Sequence, residues 1–241
     1  YNSCEESRQK LKQLEEKKSQ DRVLTDEEEI DRALLLEDME SVEFGLEAFK
    51  KLYDLKPDDL SIAYHLGRLM IKSGDPEGQD ILHKVMENDA QLIPYCCNLL
   101  YHFHRNEGRI NQAQEYYYYA ISFMATNGDV KNERGSVRFS NTYVPHDLDI
   151  NTIEDMRRKL LEKGYVKRAY IAIKEVEYSG QFPLYVILVK FKGTSRATSK
   201  IRVQELVDSQ LIPWEYFVVP IYGKNRELEY KFISLPNSRI V

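Results

Sequence analysis

The sequence lacks features by which several classes of protein are recognised. Its 241 residues contain three cysteines, Cys4, Cys96 and Cys97, which are too few for a disulfide framework and favour a reducing, cytoplasmic environment. No apolar run reaches the length of about 18 residues that suggests a membrane span, and no signal peptide opens the chain. Because the first residue is Tyr1 rather than methionine, we expect the chain to be a piece of a longer protein.

The motifs of common enzyme classes are also missing. HExxH, GxSxG, a Walker loop and GxGxxG do not occur. The nearest candidate metal ligands are Cys96, Cys97, His102 and His104, but Cys97 and His104 also fall at core positions of the repeat described below. Closed zinc sites normally present paired ligands at short spacing, with a second pair elsewhere. We therefore predict no catalytic residue, no metal site and no cofactor in this chain.

Positive charge is scarce in the first part of the chain. Residues 1–147 contain 18 Lys and Arg against 28 Asp and Glu, whereas residues 148–241 contain 16 against 11, within a net charge of −5. The basic half has neither a concentrated basic stripe nor the glycine and aromatic pattern of RNA-binding strands, so nucleic acid is not an expected partner. Together with the length of the chain, the charge difference favours two domains.

A self-similarity at a spacing of 34 residues is the strongest positive signal. Repeats begin at Asp26, Leu60 and Pro94 and cover about 26–59, 60–93 and 94–126. Five sets of residues align at helix-packing positions: Ala33, Gly67 and Tyr101; Leu36, Met70 and His104; Gly45, Gln79 and Ala113; Phe49, His83 and Tyr117; and Leu52, Met86 and Ala120. Glu29, Ala63 and Cys97 align at the early anchor position, where the family usually has a tryptophan. Gly74 and Gly108 are placed to open turns between helices. The spacing resembles that of tetratricopeptide arrays, which predicts a solenoid of helical hairpins. An irregular helical bundle with an accidental period is the alternative.

Helix ends and a change of period divide the rest of the chain. Thr25 with Glu28 forms a capping-box pattern before the first repeat, and Asn151 with Glu154 forms another. Residues 2–20 are expected to be a helical lead-in or a frayed tail, and 127–147 a linker. From 148 to 241 we expect a helix ending near Gly164, a helix over about 195–209, and four β-rich runs. These runs are Val166–Tyr178, Phe182–Phe191, Trp214–Tyr222 and Leu228–Leu235. Their order predicts an α+β domain with two helices on one face of a four-stranded, mainly antiparallel sheet.

The predicted solenoid provides a candidate binding surface. In such arrays the first helix of each hairpin lines the concave side, where charged, aromatic and amide side chains suit an extended peptide. The residues predicted to bind a protein or peptide partner are Tyr64, His65, Arg68, Lys72, Asn98, His102 and Arg105. An ordinary solvated helical face is the alternative.

Five stretches of the chain support a resemblance to a known family. They are 66–70 (LGRLM), 74–78 (GDPEG), 108–116 (GRINQAQEY), 166–174 (VKRAYIAIK) and 182–186 (FPLYV). With these, the chain resembles the soluble C-terminal region of bacterial membrane zinc metallopeptidases of the HtpX/CAAX-protease-like superfamily. The resemblance implies an accessory module on the cytoplasmic side of the membrane that positions substrates or partners. The zinc and the catalytic residues would then belong to an upstream domain. A free-standing tetratricopeptide adaptor without a protease is the alternative.

Overall fold

A computed structural model describes residues 2–20, 22–193 and 195–241, without the side chains of residues 2–4 and 224. Tyr1 and the side chain of Cys4 therefore lie outside the described part. The chain divides into two compact units, Tyr1–Ala120 and Ile121–Val241. In the described residues, no helix combines the length and the apolar character needed to cross a bilayer.

The first unit is helical and the second combines helices with a sheet. Seven helices begin in the first unit: α1 (Asn2–Ser19), α2 (Asp26–Met39), α3 (Val42–Leu55), α4 (Leu60–Lys72), α5 (Gly78–Asn88), α6 (Ile93–Asn106) and α7 (Ile110–Met124). The second unit contains α8 (Gly128–Arg134), β1 (Tyr143–Val144), α9 (Ile150–Glu162), β2 (Val166–Lys174), β3 (Leu184–Phe191), α10 (Arg196–Asp208), β4 (Tyr216–Pro220) and α11 (Arg226–Ile233). The elements are consistent with the α+β layout that the sequence predicts.

Helices α2 to α7 follow one another as hairpins. Gly74 and Gly108 have φ angles of +84° and +73°, which is the left-handed backbone that glycine adopts readily, and each lies in the turn of a hairpin as predicted. In the second hairpin, a Cβ atom on Gly67 would lie 2.9 Å from the Leu82 side chain, and one on Gly78 would lie 2.8 Å from the Gly67 carbonyl oxygen. The two glycines thus allow α4 and α5 to approach closely.

The inward face of α5 is displaced by one residue from the predicted register. The residues buried on α3, α5 and α7 share a spacing of four and then three, with partly buried Leu52 completing the first set: Gly45, Phe49 and Leu52; Gly78, Leu82 and Val85; Ala113, Tyr117 and Ala120. The predicted core positions Gln79, His83 and Met86 are only partly buried. The small residue that the helix crossing requires is therefore Gly78, not Gln79.

Helix α1 packs on α2, and several ion pairs join the two helices. Leu14 is buried, with 5% of its surface exposed. Lys10 Nζ lies 2.7 Å from Asp31 Oδ2, and Arg32 Nε lies 2.8 Å from Glu15 Oε1. Charged residues of α1 therefore form ion pairs with α2. This is the arrangement expected of a helical lead-in to the repeats, not of a frayed tail.

The sheet of the second unit has the strand order β1-β2-β3-β4. Strand β2 pairs antiparallel with β1 and β3, while β4 pairs parallel with β3. The parallel pair requires a crossover, which α10 provides between β3 and β4. The sheet is therefore mixed where we predicted a mainly antiparallel order.

Two segments differ from their predicted structure. The run Leu228–Leu235 is not a strand, because 226–233 forms α11, whose Leu228 and Phe232 lie one turn apart and bury against the sheet. The alternation of Leu228, Tyr230 and Phe232 fits either structure, and packing favours the helix. The fourth strand is instead β1, within the segment 127–147 that we expected to be a linker.

Both faces of the sheet are buried. Tyr170 and Leu188 pack with α11 in one apolar cluster, whereas Ile171 and Ile187 point to the opposite face and are also fully buried. A strand with a continuous apolar run such as β3 is typical of such a layer. Helix α11, which the sequence does not predict, therefore covers the face that carries Tyr170 and Leu188.

Helix α8 is anchored to the loop between β2 and β3. Arg134 is 4% exposed; its Nη1 donates to Ser179 Oγ at 3.0 Å and to the Phe182 carbonyl oxygen at 2.9 Å, and its Nη2 lies 2.8 Å from Glu215 Oε2. Glu133 accepts hydrogen bonds from the amides of residues 177 and 178. These two side chains make 128–134 part of the second unit.

Candidate functional site

The seven predicted binding residues lie on two helices that begin successive hairpins. Tyr64, His65, Arg68 and Lys72 are on α4, and Asn98, His102 and Arg105 are on α6. Each helix is amphipathic, so the opposite side is apolar and fixes its orientation. On α6 the buried residues are Ile93, Cys96, Cys97, Leu100, Tyr101, Phe103 and His104.

Arg68 and Lys72 already have an acidic partner in the chain. Arg68 Nη1 and Lys72 Nζ each lie 2.9 Å from Glu37 Oε1, and Arg68 Nη2 contacts Glu37 Oε2. The Arg68 hydrogen bonds, followed by that of Lys72, lower the Glu37 pKa from 4.5 to about 2 against the opposing effect of burial. Arg68 therefore joins α2 to α4, and a ligand carboxylate would have to compete with Glu37 for it.

His65 is partly a core residue. Its ring stacks on the buried Phe49 ring of α3 at a centroid distance of 5.2 Å. Burial, and then the nearby Arg68 charge, lower its pKa, so the ring is neutral at pH 7. Its Nδ1 is buried with no hydrogen-bond partner in the described part of the chain. We predicted a groove residue, and the structure places the ring largely between helices.

Tyr64 belongs to the contact between α4 and α6. Its ring is half-buried beside an apolar cluster that includes Cys96 and Leu100 of α6. Burial raises the pKa of its hydroxyl, with smaller effects of Cys96 and Arg68.

The predicted residues of α6 form one stripe with a neighbour that sequence reasoning missed. Tyr95, Asn98, His102 and Arg105 follow a spacing of three, four and three, which places them on one side of a helix. We call these four residues the α6 stripe. Tyr95 is 55% exposed, and its omission was avoidable because it precedes Asn98 by one turn.

Within the α6 stripe, Arg105 is held by a hydrogen bond, whereas the side-chain oxygen of Asn98 has no hydrogen-bond donor in the described residues. Arg105 Nη1 donates to the Tyr101 hydroxyl at 2.8 Å, and the His102 ring lies against the Tyr101 ring at 4.6 Å. Asn98 Oδ1 is buried without a hydrogen-bond partner in the described residues.

The cysteines and histidines of α6 are not arranged for catalysis. Burial raises the pKa of both Cys96 and Cys97 to about 12, so their thiols are protonated and poor nucleophiles at neutral pH. His104 is 5% exposed and stacks on Tyr116. In the part of the chain that the structure describes, no cluster of three or more His, Cys, Asp or Glu residues is placed to hold a metal ion.

No protein-family model, curated protein or solved structure matches this chain. The resemblance to the HtpX/CAAX-protease-like superfamily therefore stays a prediction from the sequence.

Proposed function

We propose that the first unit is a tetratricopeptide-like interaction module that binds an extended segment of a partner protein along α4 and α6. The α6 stripe carries the proposal. Its exposed Tyr95 ring and the partly buried Asn98 amide and Arg105 guanidinium lie on one side of a helix whose other side is buried. Such a row suits an extended peptide, whose backbone offers donors and acceptors at regular spacing.

Each member of the stripe has a chemically distinct role in this proposal. Tyr95 offers an aromatic surface for an apolar side chain. Asn98 Oδ1, now without a partner, accepts a hydrogen bond from a peptide N–H after a side-chain rotation, because an unsatisfied buried acceptor costs about 1–3 kcal/mol. Arg105, whose Nη1 donates to the Tyr101 hydroxyl, adds a positive charge that attracts a ligand carboxylate.

The charge of the neighbouring cluster adds a preference for acidic peptides. Glu37 offsets one of the two charges on Arg68 and Lys72, and Lys72 keeps 54% of its side chain exposed. The Lys72 ammonium group therefore stays accessible to an acidic peptide. In this proposal Arg68 mainly holds α4 on α2, and Lys72 and Arg105 attract the partner.

The cellular setting follows from the sequence resemblance. If the chain is the C-terminal part of an HtpX-like zinc metallopeptidase, the partner is a substrate or regulator of the upstream protease domain. If the chain is a free-standing adaptor, it has no such domain. The open reading frame upstream of Tyr1 distinguishes the two, because the first requires an HExxH helix and membrane spans there.

Binding of a library-selected peptide tests whether α4 and α6 form a peptide-binding surface. We would select peptides from a phage-displayed random library on the immobilised 241-residue chain and measure the dissociation constant of the best one by calorimetry. Tyr95→Ala and Asn98→Ala should each weaken binding by about tenfold, and Arg105→Gln should do so for acidic peptides. The control is Lys50→Ala, an exposed residue of α3. Equal affinity for the wild type and the stripe variants would contradict the proposal.

A further inference from the structure

The second unit contains a cavity of about 710 Å³ where strands β3 and β4 end. Because these strands are parallel, their carboxyl ends meet at one edge of the sheet, and the crossover helix α10 begins beside them. In sheets with parallel strands, ligands commonly bind in the crevice outside this edge. The volume lies within the range of about 300–1,000 Å³ that is typical of small-molecule sites.

The cavity is lined by five cationic side chains and by no acidic one within the described residues. The cations are Lys167, Lys190, Lys192, Arg196 and Arg226. In the same part of the chain, none of the five forms an ion pair with a carboxylate, although the whole chain has a net charge of −5. Five uncompensated like charges around one concave surface repel each other. An anion with several charges would remove that repulsion.

The wall of the cavity is held in place by hydrogen bonds. Lys190 Nζ donates to the Ile221 carbonyl oxygen at 3.2 Å and thereby joins the ends of β3 and β4. Lys192 Nζ donates to the Gly164 carbonyl oxygen at 2.9 Å, while Arg202 Nη1 donates to the Lys192 carbonyl oxygen at 3.0 Å. These contacts fix the loop after β3 from both sides. A positively charged surface held this way loses little entropy when a ligand binds.

The remaining wall is apolar and partly aromatic. Besides Gly193 and Ser199, it contains Val189, Phe191, Pro220, Ile221 and Tyr222, and the Tyr222 ring is partly exposed. A ligand that fills the cavity therefore has a flat apolar part beside Tyr222 and several negative charges beside the cations. A nucleoside phosphate has both parts, and a tail of two or three phosphates matches five cations better than a single phosphate does.

We infer that the second unit binds a nucleoside di- or triphosphate in this cavity. Arg196 and Arg226, which are exposed at the rim, bind the phosphate oxygens, and the base packs on Tyr222. Since no described lining residue has a carboxylate, the cavity offers no acidic ligand for Mg²⁺. Binding of the nucleotide therefore does not require the metal ion. The site is independent of the peptide-binding role proposed for the first unit.

Calorimetric titration of the full 241-residue chain with ATP, tripolyphosphate and adenosine tests the inference at low salt. We expect ATP to bind most tightly, tripolyphosphate more weakly and adenosine not at all, with ATP affinity undiminished by EDTA. Arg196→Ala combined with Arg226→Ala should weaken both anions by about tenfold or more. Tyr222→Ala should reduce ATP binding to the level of tripolyphosphate and leave tripolyphosphate unchanged. Lys200→Ala, on α10 but outside the cavity lining, is the matched control.

Several outcomes would overturn the inference. One is the absence of ATP binding at millimolar concentration. Another is an affinity that the double arginine variant leaves unchanged. Binding of a single-stranded RNA oligomer without binding of ATP would assign the basic surface to nucleic acid instead. The thermal melts of Arg196→Ala and Arg226→Ala should match that of the wild type. A loss of binding in these variants then results from the changed site and not from unfolding.

Discussion

The Glu37 carboxylate of α2 is bound by the Arg68 guanidinium of α4 through both of its oxygens. Only 6% of the Glu37 side chain and 20% of the Arg68 side chain are exposed. The pair thus joins the first helices of two hairpins, and it occupies an arginine that sequence reasoning assigned to a ligand.

Replacing Glu37 should destabilise the first unit. Glu37→Gln leaves the half-buried Arg68 without its charged partner, so we expect a loss of about 2–3 kcal/mol in the free energy of unfolding. Urea denaturation followed by circular dichroism measures the change. Glu87→Gln, at an exposed position of α5, is the control and should leave the midpoint unchanged. A Glu37→Gln midpoint equal to that of the wild type would show that the pair contributes nothing.

The same pair predicts a dependence on pH. Because the Glu37 pKa is lowered from 4.5 to about 2 in the folded protein, its stabilisation is complete above about pH 4.5 and is lost as the pH falls toward 2. The difference in stability between the wild type and Glu37→Gln should therefore shrink over this interval. A difference that stays constant from pH 6 to pH 2.5 would contradict the assignment.

The helix crossing in the second hairpin distinguishes two registers. Gly78→Leu should cost about 1–3 kcal/mol or more, because its Cβ atom alone would lie 2.8 Å from Met70 Cβ and from the Gly67 carbonyl oxygen. Gln79→Leu should be nearly neutral, since Gln79 is only partly buried. Thermal melts of both variants suffice. If Gln79→Leu destabilised the protein more than Gly78→Leu, the register predicted from the sequence, with Gln79 at the helix crossing, would be correct.

Arg134 should tolerate no substitution, even by lysine. Its guanidinium contacts Glu215, Ser179 and the Phe182 carbonyl together, and a lysine ammonium cannot reproduce this planar geometry. We expect Arg134→Lys to cost about 2–4 kcal/mol in chemical denaturation of the second unit. Arg157→Lys, on the exposed side of α9, makes the same chemical change and should have little effect. Equal midpoints for the two variants would refute the anchoring role.

His104 should limit stability in mild acid. Burial, and then the Arg109 charge, lower its pKa against weaker opposing effects of Glu107 and Glu115, and both ring nitrogens lack a hydrogen-bond partner among the described residues. The stabilisation by the neutral ring is present above about pH 6.5 and is lost as the pH falls through its lowered pKa. His104→Phe should therefore raise the melting temperature, and more so at pH 5 than at pH 7.5. A lower melting temperature at both values would contradict this reading of the site.

The sequence predicts features that depend on local patterns. Thr25 and Glu28 form the expected capping box, and α9 ends before Gly164, whose φ is +65°. The second capping box was placed wrongly, because Asp149 rather than Asn151 caps α9. The spacing of apolar residues located all six hairpin helices, since one amphipathic side per helix determines the pattern.

Features that depend on pairing between distant segments were not predictable. The parallel alignment of β3 with β4, which creates the basic cavity, brings together residues that are widely separated in the sequence. In the same way, Arg134 resembles any charged residue of a linker until Glu215 is placed beside it. The partner of Arg68 was missed because Glu37 is 31 residues away, in the preceding hairpin.

Hydrogen exchange of the first unit tests the proposed binding face most directly. With the library-selected peptide at saturation, amide exchange measured by mass spectrometry should slow in α4 (60–72) and α6 (93–106) and stay unchanged in α3 (42–55) and α5 (78–88). At a peptide concentration near the wild-type dissociation constant, Asn98→Ala should show much less of this protection than the wild type. Protection confined to α3 and α5, or to residues 121–241, would show that the partner binds elsewhere.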